Sequence, residues 1–231
     1  MSQKPEGLVI GIAETGSGAT AGVSARSRRS RLESQTEKRA QILRAASAVF
    51  GRSGYDGASM SDIAAEASVS KPTLYVYFDS KERLFDGLIE DMSASVPESV
   101  LELDAADPNI EAQLVRCGIG LMLKISQPER IDMLRVVAGA AGKFPEVGQK
   151  FFAAGPGRAI AKFKVYLAEI ARRGWLEIAD PELAAFQLLE LLQSVHLRKL
   201  LFAVAPQPTP MDIERTVKAG VAVFLAAYRP S

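Results

Sequence analysis

One cysteine and one histidine among 231 residues set the first limits. Cys117 alone cannot close an internal disulfide, so a reduced, cytoplasmic setting is expected. It stands among Val115, Ile119 and Leu121 with no histidine in sequence reach, the pattern of an inert core thiol. His196 lies in an apolar stretch and cannot build a histidine-based metal site by itself. No carboxylate pair or EF-hand spacing supplies acid–base or calcium chemistry. The glycine-rich start lacks the closing Gly-Lys-Ser/Thr of a phosphate loop. No run of about 18 apolar residues escapes charges and breakers, so no membrane span is expected. The apolar LVIGIA is too short for a secretory signal, and the segment before it is not basic enough. No alternating, strand-length segment is bounded by hairpin turns. These absences leave an all-α protein with no catalytic residues, no metal, no cofactor and no membrane partner.

What the chain does contain is an uneven charge. The formal balance is +1, yet residues 26–81 carry an excess of base, 82–111 a strong excess of acid, and 115–231 an excess of base again. A basic front before an acidic belt fits a front that meets a polyanion, and equally a solvated surface sorted by sign.

Residues 1–34 are rich in Gly, Ser, Ala and Thr with no sustained apolar period, which predicts a disordered tail. From residue 35 the pattern turns helical. Ile42, Ala45, Ala46, Val49 and Phe50 recur every three or four residues, and Gly51 and Gly54 end the stripe. A second short helix, MSDIAAEA, has Ser59 or Ser61 as its N-cap. Ser70 caps a third, with Pro72 tolerated in its first turn. Residues 35–80 form one domain, and a linking helix covers about 81–94. Beyond it, residues 95–231 read as helices at roughly 109–126, 128–142, 145–154, 156–173, 181–204 and 210–228, separated by prolines and glycines.

Two short helices joined by a tight break and packed on an amphipathic first helix make a helix-turn-helix, whose second helix enters the major groove of DNA. On the third helix Leu74 and Phe78 share a face and belong to the core. Lys71 and Tyr75 lie off that face, as do Thr73 and Tyr77, which aims hydroxyl-tipped rings outward at phosphates and base edges. Alone, each tyrosine fits half-buried packing; beside Lys71, Pro72, Thr73 and Lys81 the DNA reading prevails.

The stretch SMSDIAAEASVSKPTLYVYFDSKERLFDGLI resembles the DNA-binding domain of the TetR family of bacterial transcriptional regulators, over about residues 36–92. The resemblance implies that Ser59 and Ser61 meet phosphate. It implies that Lys71, Pro72, Thr73 and Tyr75 approach base edges or neighbouring phosphates, and that Tyr77 and Lys81 bind phosphate. The family usually has Gly where Ser68 stands, and a left-handed serine costs about 1 kcal/mol. The Arg26, Arg28, Arg29 and Arg31 cluster is either a solvated tail or an arm for an adjacent minor groove.

The second half more loosely resembles the ligand-binding and dimerisation region of the AefR-like branch. Residues 181–204 and 210–228 are apolar nearly all round and would pair with a second copy as a four-helix bundle. Phe186, Leu189, Leu192 and His196 are expected at that homodimer interface, with Val217, Val221 and Phe224 facing them; a monomer core is the alternative. Met122, Met133, Phe144 and Phe151 are expected around a pocket for a small apolar effector, with Phe152, Phe163 and Trp175 completing it. The implied function is a sequence-specific DNA-binding regulator, a ligand-relieved repressor acting as a homodimer on a palindromic operator. A ligand-binding or adaptor protein of the same fold would lack Lys71, Thr73, Tyr75 and Tyr77 on the third helix.

Overall fold

The computed structural model describes residues 18–94 and 96–230, with side chains at Ser30 and from Glu33 onward. Among the described residues there are eleven α-helices, one 3-10 turn at Glu98–Leu101 and no strand. The chain divides into a small unit, Met1–Gln41, and a large one, Ile42–Ser231. In the small unit the backbone is helical from Gly18, where a tail was expected through residue 34. Residues 1–17 and the side chains of Arg26, Arg28, Arg29 and Arg31 lie outside the described residues.

The first helix, α1 (Gly18–Gly57), passes Gly51 without a break and kinks at Gly54 (φ 70°, ψ 172°). Only glycine adopts that conformation without steric cost. The next three helices are α2 (Met60–Glu66), α3 (Lys71–Tyr77) and α4 (Lys81–Ala94). Their ends follow from local chemistry. Ser59 Oγ accepts from the Asp62 amide at 3.2 Å and donates to its carboxylate at 2.6 Å, closing the start of α2. At the end of α2, Ser68 N–H donates to the Ala65 carbonyl and Val69 N–H to that of Ala64, both at 3.0 Å. This is the Schellman arrangement, and it holds Ser68 left-handed at φ 52°. Ser70 Oγ accepts from the Thr73 amide to start α3.

Inside this part the core is a cluster of rings and branched chains. Phe85 meets Phe50 and Tyr55 edge-on, with centroids 5.4 and 5.1 Å away, and Leu74 and Ile63 are fully buried beside them.

The remaining helices are α5 (Ile110–Ile125), α6 (Pro128–Ala140), α7 (Pro145–Ala154), α8 (Pro156–Arg172), α9 (Pro181–Gln193), α10 (His196–Leu201) and α11 (Pro210–Ala227). The apolar stretch expected as one helix over 181–204 is two, broken at Ser194–Val195. A second core joins α5, α8, α9 and α11 around Leu114, Phe163, Leu188 and Val217. At the crossing of α9 and α11 a Cβ on Gly220 would stand 2.8 Å from the Leu191 carbonyl oxygen, so only glycine permits the approach.

This packing revises the expected interface. Leu192, Val217 and Val221 are fully buried within the chain, with Phe224 and Leu189 nearly so. The reason is that α9 and α11 bury their apolar faces on each other and on α5 and α8. His196 Nε2 lies 2.9 Å from Thr216 Oγ1 and 3.3 Å from the Asp212 carbonyl, tying α10 to α11 inside the chain.

Candidate nucleic-acid interface and effector cavity

Helix α3 is seven residues long and buries one of them, Leu74, which leaves most of its surface outward. Lys71 and Pro72 are exposed, and Lys71 makes no ion pair among the described residues. Tyr75 is 49% exposed. Thr73 is half-buried, and its hydroxyl pairs with Ser70 Oγ at 2.7 Å. Tyr77 is also half-buried and packs on the first core, so only part of its ring faces outward. Ser61 is half-buried at the start of α2, and Ser59 spends its hydroxyl on the cap.

Lys81 departs from expectation. Its ammonium donates to three backbone carbonyls, Tyr55 at 2.8 Å, Ala58 at 3.1 Å and Asp56 at 3.3 Å, and sits over the Tyr55 ring. An ammonium has three donors, so this set leaves none for a phosphate. The lysine locks the end of α1 to the start of α4. Position and charge are visible in a sequence, and carbonyl geometry is not.

A further residue of α3 points outward. Val76 is 81% exposed, the most exposed large apolar side chain in the structure as described. An apolar side chain on the outer face of a recognition helix suits a thymine methyl. The signal was present in the sequence, since Val76 lies two residues from Leu74 and so off the buried stripe.

The second feature is a partly open cavity of about 300 Å³ in the large unit, bordered by α4 through α10. That is the lower end of the size range of ligand sites, about 300–1,000 Å³. Phe151 and Phe152 of α7 border it. The other five residues expected there do not. Met122 and Phe163 are fully buried in the second core and Met133 in the first. Phe144 meets the Tyr55 ring edge-on at 5.3 Å, and Trp175 lies under the Arg173 guanidinium. Phe186 and Leu189, expected between two copies, form part of the cavity wall instead. The Phe186 ring stacks on Phe152 with centroids 6.5 Å apart.

The polar side chains in the wall are Ser93, Arg130, Arg158, Glu190 and Gln193. Arg130 of α6 donates to the Met92 carbonyl, and burial lowers its pKa. Ser93 of α4 donates to the Ala154 carbonyl of α7 at 2.9 Å. Gln193 closes α9 at the wall. Among the described residues no group of three His, Cys, Asp or Glu could hold a metal, and no helix is long and apolar enough to cross a membrane. Burial pushes the Cys117 thiol up to about 12, far from the reactive range.

A capped second helix, a left-handed turn and an outward third helix define a helix-turn-helix DNA-binding regulator of transcription. The chain belongs to the TetR family: residues 42–88 match the model of the tetR family of bacterial regulatory proteins, and residues 112–230 that of the AefR-like transcriptional repressor C-terminal domain. A TetR-family regulator from Mesorhizobium loti superposes with a TM-score of 0.71 at 29% identity, covering 84% of this chain and 98% of that one. The flavonoid-responsive regulator FrrA superposes with a TM-score of 0.68 at 31% identity and the same coverage. The transcriptional repressor NicS of Pseudomonas putida is 38% identical over 80 residues, which are 34% of this chain and 38% of that protein. The activator FasR of Mycolicibacterium smegmatis is 48% identical over 54 residues, 23% of this chain and 25% of its own length. The chain thus spans well under half of these two curated relatives. The family and these relatives regulate transcription and are not enzymes.

Proposed function

We propose that the protein is a ligand-relieved repressor that binds a palindromic operator as a homodimer. The observation that carries this reading is the course of α4. The helix leaves the DNA-reading segment at Lys81, and its far end, at Ile89, Met92 and Ser93, forms part of the cavity wall. A ligand that needs more room than the resting cavity displaces that end, and the recognition helix moves with it. Two such helices read a palindrome only when spaced about 34 Å apart, one helical turn of DNA, so a small displacement lowers affinity through differential binding to two states.

Three ties make α4 answer to the cavity. Ser93 bonds the Ala154 carbonyl, Arg130 bonds the Met92 carbonyl, and Asp86 accepts from Lys150 of α7 at 2.7 Å. The effector is small and largely apolar, as the wall is. The name of FrrA, a flavonoid-responsive regulator, supports a ligand-responsive reading for a chain of this fold.

The dimer contact is assigned to the outer faces of α9 and α11, beyond the buried residues named above. There Gln187, Leu191, Val223 and Tyr228 line a shallow groove, with Val223 58% exposed. Apolar surface of this kind on helices is closed by a two-fold mate. The test is a titration of the DNA upstream of the protein's own gene. Two protomers should bind per site, and a cavity ligand should release them. One protomer per site, or binding indifferent to every cavity ligand, contradicts the proposal.

A further inference from the structure

The Arg26, Arg28, Arg29 and Arg31 cluster belongs to the small unit, on the backbone of α1. That backbone is helical from Gly18 and departs from helical geometry only at Gly54. An α-helix with its side chains is about 10–12 Å across, and the minor groove of DNA is about 6 Å wide. A helical segment therefore cannot thread that groove as an extended arm does. The outside of the duplex, where the phosphates lie, stays open to it.

The composition points to the same partner. Residues 18–33 carry four arginines and one carboxylate, Glu33, so four positive charges less one negative leave +3. Arg26 and Arg29 stand three positions apart, as do Arg28 and Arg31, and like charges at that spacing repel on a helix. A polyanion relieves the repulsion. All four cations are arginine, whose fork of donors matches phosphate oxygens. Val23 and Leu32 are the only large apolar residues of the segment, too few for the hydrophobic face with which a basic helix settles on a lipid surface. The segment also leads directly into the DNA-reading helices, and the tetR-family match begins at residue 42, past the whole cluster.

We propose that residues 26–31 are a basic helical segment that binds DNA phosphates beside the operator, adding affinity without reading sequence. This contact needs neither the effector nor the dimer. Phosphate contacts hold a protein on the duplex and carry no base information, so the segment strengthens specific and unspecific binding alike.

The test uses the full chain, a variant with Arg26, Arg28, Arg29 and Arg31 all changed to Ala, and one with all four changed to Lys. Circular dichroism melts confirm that each variant folds. Affinity is measured across a salt series for the DNA upstream of the protein's own gene and for an unrelated fragment of equal length. Each phosphate contact adds about 0.9 to the slope of log affinity against log salt. The alanine variant should therefore lose roughly two to four units of slope on both fragments, while its preference for the upstream fragment stays native. The lysine variant keeps the charge and should keep most of the slope. An alanine variant with the native slope overturns the proposal, as does a lysine variant that loses the slope, or an alanine variant whose only defect is lost preference. Equal binding of both fragments by the native protein defeats the operator reading, and the slope difference then still decides this one. Native protein that binds neither fragment defeats both.

Discussion

The ammonium of Lys81 lies 2.8 Å from the carbonyl oxygen of Tyr55 and 4.8 Å from the centroid of its ring. One side chain thereby closes the end of α1, whose last carbonyls have no helical partner, and anchors the helix that leads to the cavity. Lys81→Ala should lower stability by about 1.5–3 kcal/mol, the range for bonds to a charged group, read as a drop in the urea midpoint. Its DNA affinity should fall with an unchanged salt slope, whereas loss of a phosphate contact would lower the slope by about 0.9.

Gly220 faces the Leu191 carbonyl with no room for a methyl group. Gly220→Ala should destabilise by about 1–3 kcal/mol through overpacking, again measured by urea unfolding. A variant as stable as the native chain would mean that α9 and α11 cross differently.

Val223 is exposed on α11 while Val221 is buried, two residues apart on opposite sides of the helix. Val223→Glu should therefore keep the native helical circular dichroism and shift sedimentation at micromolar concentration from dimer to monomer. An unchanged dimer would move the interface elsewhere.

Glu169 accepts from Arg172 and Arg173 at 2.8 Å, and these bonds hold its carboxyl at about 2, below the ordinary 4.5. A depressed carboxylate stabilises the fold above its unfolded value and loses that contribution as pH falls through its folded value. The melting-temperature gap between the native protein and Glu169→Gln should therefore be full above pH 4.5 and close toward pH 2. The gap is small, since the pair stands in water.

The helix-turn-helix was legible because its signals are local. Ser59 and Ser70 cap their helices, Leu74 and Phe78 mark the buried stripe, and Ser68 adopts the left-handed turn that glycine usually fills. What stayed hidden depends on which neighbour a residue meets. Phe163 and Phe151 look alike in sequence, yet one fills a core and the other a cavity wall. The break at Ser194–Val195 interrupts an apolar period that continues across it, so periodicity could not reveal it.

The most direct test of the account is binding of the purified protein to the DNA upstream of its own gene, against an unrelated fragment, across a salt series, beside a Lys71→Ala, Tyr75→Ala double variant. The account predicts preference for the upstream fragment, log affinity falling linearly with log salt, and a variant that loses the preference along with about one unit of slope. Equal binding of both fragments, or a variant that binds as the native protein does, would contradict DNA reading by the outer face of α3.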